Sequence, residues 1–98
     1  MQLHDIPFSL QSRLRIMIVA ALIAGTKDFK ELKAVTAATD GNLGKQLEVL
    51  ESDGFITSSR EMSGRRLRTR YTLTAHGRAE FEGYVALLES ILKQASDG

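Results

Sequence analysis

The sequence predicts a mainly α fold of the α+β class, with three helices, a two-stranded β-hairpin and a long closing helix. Three observations carry that expectation. Apolar residues recur at steps of three and four up to residue 54 and again after residue 74. Between Phe55 and Leu73 the period falls to two, in runs rich in Thr, Ile, Tyr and Leu. Gly, Asp, Ser and Thr mark the boundaries between these stretches. Ninety-eight residues suffice for one hydrophobic core and hence one domain, residues 1–98.

The first helix is expected over about 9–24. Ser9 can cap an orphan N–H, apolar residues follow at Leu10, Leu14, Met17, Ile18, Ala21, Leu22 and Ile23, and Gly25 ends the run. The second, about 28–37, is capped by Asp28 or Thr26 and turns Phe29, Leu32 and Val35 inward, with Lys27, Lys30, Glu31 and Lys33 on the other side. Thr39-Asp40-Gly41 reads as a tight turn and cap. A third helix over about 40–53 then buries Leu43, Leu47 and Leu50 and stops at Asp53-Gly54.

The hairpin spans about 55–73, with Ser63-Gly64 at its turn. In its second strand Leu67, Thr69, Tyr71 and Leu73 alternate with Arg66, Arg68, Arg70 and Thr72, so one face is expected in the core while the other forms an arginine comb. Thr74 stands at the N-cap of the last helix, about 75–95, whose stripe is Phe81, Tyr84, Val85, Leu88, Ile91, Leu92 and Ala95.

Several functions are excluded early. Without cysteine there is no disulfide, thiolate metal site or thiol catalysis. His4 and His76 lie far apart and have no acidic partner at ligand spacing, so no metal or cofactor is expected. No Ser-His-Asp set, carboxylate pair or phosphate-binding glycine loop is present, and no enzyme is expected. The apolar run of residues 16–25 is too short to cross a membrane and lacks a leader's cleavage pattern, so the default location is cytoplasmic.

Two helices joined by a tight turn, followed directly by a hairpin, is the chain order of a winged helix-turn-helix. The run "TDGNLGKQLEVLESDGFI", the arginines after it and "TRYTLTAHGRAEFEGY" resemble single-domain winged-helix transcriptional regulators of the MarR and ArsR-like superfamily. The resemblance extends from about Ser9 to Leu92. Its most specific parts are the "NL…LE…L…DGFI" spacing and the Y-T-L-T-x-x-G-R junction. It implies a DNA-binding regulator in which the last helix, with the first, forms a dimer interface. Larger relatives also bind small molecules between the DNA-binding and dimerisation parts, which directs attention here to the region of Tyr84 and Leu88 for an effector.

The residues support the same destination independently. With Leu43, Leu47 and Leu50 buried, a step of about 100° per residue sets Gly41, Lys45, Glu48 and Ser52 opposite, flanked by Asn42, Gln46 and Val49. Asn and Gln can bridge adenine edges, and Lys can reach guanine or phosphate, so Asn42, Lys45 and Gln46 are the base-reading candidates. Thr39 caps the helix or meets a phosphate oxygen. Gly41 and Gly44 either let the backbone approach DNA or ease the turn and helix packing.

Five arginines against one glutamate between residues 60 and 70 make the hairpin the strongest basic feature. Arg65, Arg66 and Arg68 are candidates for phosphate or minor-groove contact; the alternative is a solvated edge that resists aggregation. Arg13, Arg15, Lys27, Lys30 and Lys33 touch flanking backbone or only solubilise.

The stripe Phe81, Tyr84, Val85, Leu88, Ile91 and Leu92 is wide for so small a domain. A homodimer buries it, unless it folds back onto its own core. Two copies would then read a pseudo-palindromic duplex with half-sites about one helical turn apart. The acidic residues Glu48, Glu51 and Asp53 favour the rival reading, a protein-protein adaptor that makes no use of DNA.

Overall fold

The structure is a computed structural model and describes residues 5–97; His4 lies outside them. Helix α1 spans Arg13–Ile23, and its cap is Ser12, whose Oγ accepts from the Arg15 amide at 3.4 Å. The expected start near Ser9 is thereby corrected. Phe8–Leu10 instead form a 3₁₀ turn, closed by bonds from Leu10 N to Pro7 O and from Gln11 N to Phe8 O. Ser9 is buried, and its hydroxyl donates to Asp53 Oδ2 at 2.6 Å, which ties the N-terminal segment to the end of the third helix.

After Gly25, Lys27–Asp28 form a two-residue strand, β1, that the period-based reading did not contain. Helix α2, Phe29–Thr36, starts at Asp28 in a capping box: Asp28 Oδ1 accepts from Glu31 N at 2.8 Å and Glu31 Oε1 accepts from Asp28 N at 3.1 Å. Leu32 is buried and Phe29 half-buried, but Val35 is 54% exposed, because the helix ends before its last turn reaches the core.

Ala37 takes a left-handed conformation at φ 56° and closes the turn through its amide to Lys33 O. Helix α3, Asp40–Ser52, follows with Thr39 as cap and Leu43, Leu47 and Leu50 buried, as their spacing predicts. They meet Ile18, Val19 and Leu22 of α1, Leu32 of α2, and Phe55 and Ile56 at the start of the hairpin.

Strands β2, Ile56–Ser63, and β3, Arg66–Leu73, pair antiparallel from Ile56 opposite Leu73 to Ser63 opposite Arg66. Gly64, at φ 65°, supplies the positive dihedral that a type II′ turn needs at its first central position. Because β1 pairs with β3 at Tyr71 and Arg70, the sheet has three strands in the order β1-β3-β2, not the two expected.

The expected core face of β3 holds only near its base. Tyr71 and Leu73 pack against the core, whereas Leu67 is 56% exposed, opposite an equally bare Met62. The hairpin projects beyond the helices, so alternation continues with nothing beneath it.

Helix α4, Ala75–Asp97, begins at Thr74, whose Oγ1 accepts from Gly77 N at 2.9 Å. Phe81 and Tyr84 pack against the core, and the remainder of the helix runs out from it. The molecule accordingly measures 58 × 24 × 21 Å.

Candidate nucleic-acid interface

Helix α3 and the hairpin tip supply the two candidate surfaces. On α3, Thr39 Oγ1 accepts from Asn42 N at 3.2 Å and so caps the helix, while its hydroxyl hydrogen is still able to donate. Asp40 is paired with Lys33 at 2.6 Å, which joins the two helices across their turn and partly neutralises one candidate backbone lysine. Asn42 and Lys45 are exposed and Gln46 is half-buried. A Cβ added at Gly41 or Gly44 would meet nothing within 4 Å, so helix packing is not what keeps either position bare.

Gln46 is held from behind. Arg15, only 7% exposed, donates through Nη1 to Gln46 Oε1 at 2.6 Å, through Nε to Ser9 O at 3.0 Å and through Nη2 to Phe8 O at 2.8 Å. Its guanidinium also lies 4.7 Å from the Phe8 ring centre. Arg15 is therefore engaged inside the fold, buried and bonded through all three of its nitrogens, and does not reach out to flanking DNA. Its spacing contained the signal: it stands three and four residues before Ile18 and Val19, on the buried face of α1.

The arginine comb resolves into unequal members. Arg65 and Arg66 are exposed at the tip and form no ion pair among the described residues. Arg68 lies 3.6 Å from Asp28 Oδ2, with Glu61 as its cross-strand neighbour. Arg70 is half-buried near the base, opposite Ser59 on the same face, whereas Arg60 points to the opposite face. At the base, burial pushes the Tyr71 phenol above its ordinary pKa, Glu51 adds to the rise and Arg60 opposes it. Glu51 also accepts from Ser58 Oγ at 2.5 Å, so one of the acidic groups of α3 is directed into the sheet.

A buried leucine stripe behind a polar helix face, beside an arginine-tipped hairpin, corresponds to a known pattern. A family model for the winged helix DNA-binding domain matches residues 13–92. The chain belongs to that family. This winged helix protein is a DNA-binding regulator, and its family is non-enzymatic.

It is 34% identical over 69 residues to the uncharacterized protein MJ0432 of Methanocaldococcus jannaschii, covering 68% of this chain and 75% of that one. Two solved structures share the fold. One, assigned to the MarR family of transcriptional regulators, is from Enterococcus faecalis V583; it has a TM-score of 0.81 at 23% identity and covers 91% of this chain and 81% of that one. The other is Bacillus subtilis PadR in complex with operator DNA, with a TM-score of 0.70 at 22% identity, over 76% of this chain and 48% of the longer PadR chain.

In this winged helix protein the α4 stripe divides. Phe81 and Tyr84 are partly covered by the domain's own core, Val85 and Ile91 are half-buried, and Leu88 and Leu92 are exposed. An open hollow of about 340 Å³ lies between Ile23 at the end of α1 and Phe81 and Val85 of α4; Tyr84 and Leu88 are outside its lining. His76 stacks edge-on against Phe55 at 5.4 Å, a packing role, and no group of metal-binding side chains occurs among the described residues. Among them, too, no helix is long and apolar enough to cross a membrane.

Proposed function

We propose that this chain is a sequence-specific regulator of transcription that binds double-stranded DNA as a homodimeric repressor in the cytoplasm. In this reading α3 enters the major groove, with Asn42, Lys45 and Gln46 toward the bases. Arg65, Arg66 and Arg68 of the wing follow phosphates or the adjoining minor groove, and Thr39 stands beside a phosphate as well as capping. Two copies joined through α4 read a pseudo-palindrome.

The observation that carries this reading is the uncovered cationic tip, Arg65 and Arg66, projecting from the same sheet that α3 packs against. An adaptor has no need of such a tip. The operator complex of PadR, a protein of the same fold, supports DNA as the partner.

The test is a fluorescence-anisotropy titration of a duplex from the protein's own upstream region against a scrambled duplex, at several salt concentrations. Tighter binding to the upstream duplex is expected, with a steep salt dependence. In Arg65→Ala/Arg66→Ala the slope of log K against log salt should fall by about 2, since each lost phosphate contact removes about 0.9. Arg68→Ala should change it less, because Asp28 already engages that side chain. Absence of binding to either duplex would point to the protein-protein adaptor.

A further inference from the structure

The hydrogen-bond polarity of the α3 reading face is determined from within the fold. A guanidinium only donates, so the Gln46 atom 2.6 Å from Arg15 Nη1 has to be its carbonyl oxygen. The amide nitrogen Nε2 then faces the other way, and one of its hydrogens goes to Asn42 Oδ1 at 3.2 Å. Each assignment compels the next. Both side-chain oxygens point along the relay, and what remains outward is one N–H of Gln46, the Nδ2 amide hydrogens of Asn42, and the ammonium of Lys45.

Arg15 cannot swing aside to release the amide, because the carbonyls of Phe8 and Ser9 and the Phe8 ring hold its other edges in a buried site. A bond between a charged donor and a neutral acceptor at this length is also among the stronger kinds.

We propose that Arg15 is a specificity-determining positioning residue, which leaves Asn42, Lys45 and Gln46 with only donors outward and directs that patch of α3 to guanine. This rests on the proposed placement of α3 in the major groove. An amide that grips adenine must present its oxygen to N6 and its nitrogen to N7, and here the oxygens are turned away. Guanine offers two adjacent acceptors, N7 and O6, which suit a surface of N–H groups. The expectation that Asn42 and Gln46 bridge adenine edges is replaced by this one.

The experiment selects duplexes from a randomised library with the full chain. The position read by the relay is identified as the one whose base preference disappears in Gln46→Ala. Guanine is expected there, and replacing it with 7-deazaguanine, which removes the N7 acceptor, should weaken binding about fivefold, the low end of the range for a base contact.

Gln46→Glu keeps the acceptor for Arg15 but puts an oxygen where the outward N–H stood. Preference should then move from guanine to cytosine, whose N4 amine donates. Arg15→Leu should let the amide turn and bring guanine and adenine within about threefold of each other, while Arg15→Lys keeps the guanine preference. A general loss of stability weakens all sequences alike and does not move this ratio.

If Arg15→Leu fails to fold, Gln46→Glu alone decides the matter, since Gln46 is half-buried on the polar face of α3 and lies outside the hydrophobic core. Adenine at the mapped position, no position that responds to Gln46→Ala, or an unaltered preference in Gln46→Glu would overturn the inference while leaving DNA binding intact. Failure of the wild type to select any duplex would overturn the DNA reading itself.

Discussion

A methyl group at Gly77 has no room. Its carbon would overlap the carbonyl oxygen of Phe55 and lie 2.9 Å from Leu73 Cδ1, so the third residue of α4 has to be glycine for the helix to seat on the sheet. Gly77→Ala should cost about 1–3 kcal/mol, the range for forcing extra volume into a packed site, and thermal or urea unfolding measures it. Gly77 belongs to the Y-T-L-T-x-x-G-R junction, so its position was visible in the sequence although its reason was not. At this scale legibility followed burial. Leu43, Leu47 and Leu50 were readable because a single face of α3 meets the core. Leu67 and Val35 were misplaced because periodicity reports which residues share a face, never where the neighbouring element stops. Arg15 was read by charge alone, although its apolar neighbours at i+3 and i+4 put it inside.

Between α2 and α3 the helix-turn-helix bend rests on Ala37, the only non-glycine residue at positive φ among those described. A left-handed alanine costs about 1–2 kcal/mol, whereas glycine there gives up about 0.4–1 kcal/mol through its freer unfolded chain. Ala37→Gly should therefore raise stability by about 0.5–1 kcal/mol, the difference between those two terms, with an increase in Tm as the readout. The helices, their order and the hairpin were legible because each has several turns or pairs of patterned residues. Strand β1 was not, since two residues carry no period, and its existence depends on an edge of β3 that is distant in sequence. Asp28 shows how much such a short element can hold: it ends β1, caps α2 and faces Arg68 of the wing.

For the whole molecule, the exposed Leu88 and Leu92 mark the part of α4 that the domain leaves uncovered. Under the dimeric reading, Leu88→Glu/Leu92→Glu should convert a dimer to a monomer in analytical ultracentrifugation and leave the circular dichroism of the fold unchanged. A monomeric wild type would remove that reading. The DNA-binding class was legible from chain order and local charge, whereas the direction in which a buried arginine turns an amide required three dimensions. One consequence concerns Phe55. It accepts the amide of Thr74 on its carbonyl, packs under Gly77, meets His76 edge-on and donates its own amide to Leu50 O. The last turn of α3 and the first turn of α4 are thus pinned to a single residue, like two arms of a protractor. Helix α4 is about 35 Å long at 1.5 Å per residue, so a tilt of about 5° at that pivot moves its far end by about 3 Å. Along a duplex that is about one base step. In a dimer built on α4, the packing of one phenylalanine would set the half-site spacing that two recognition helices accept.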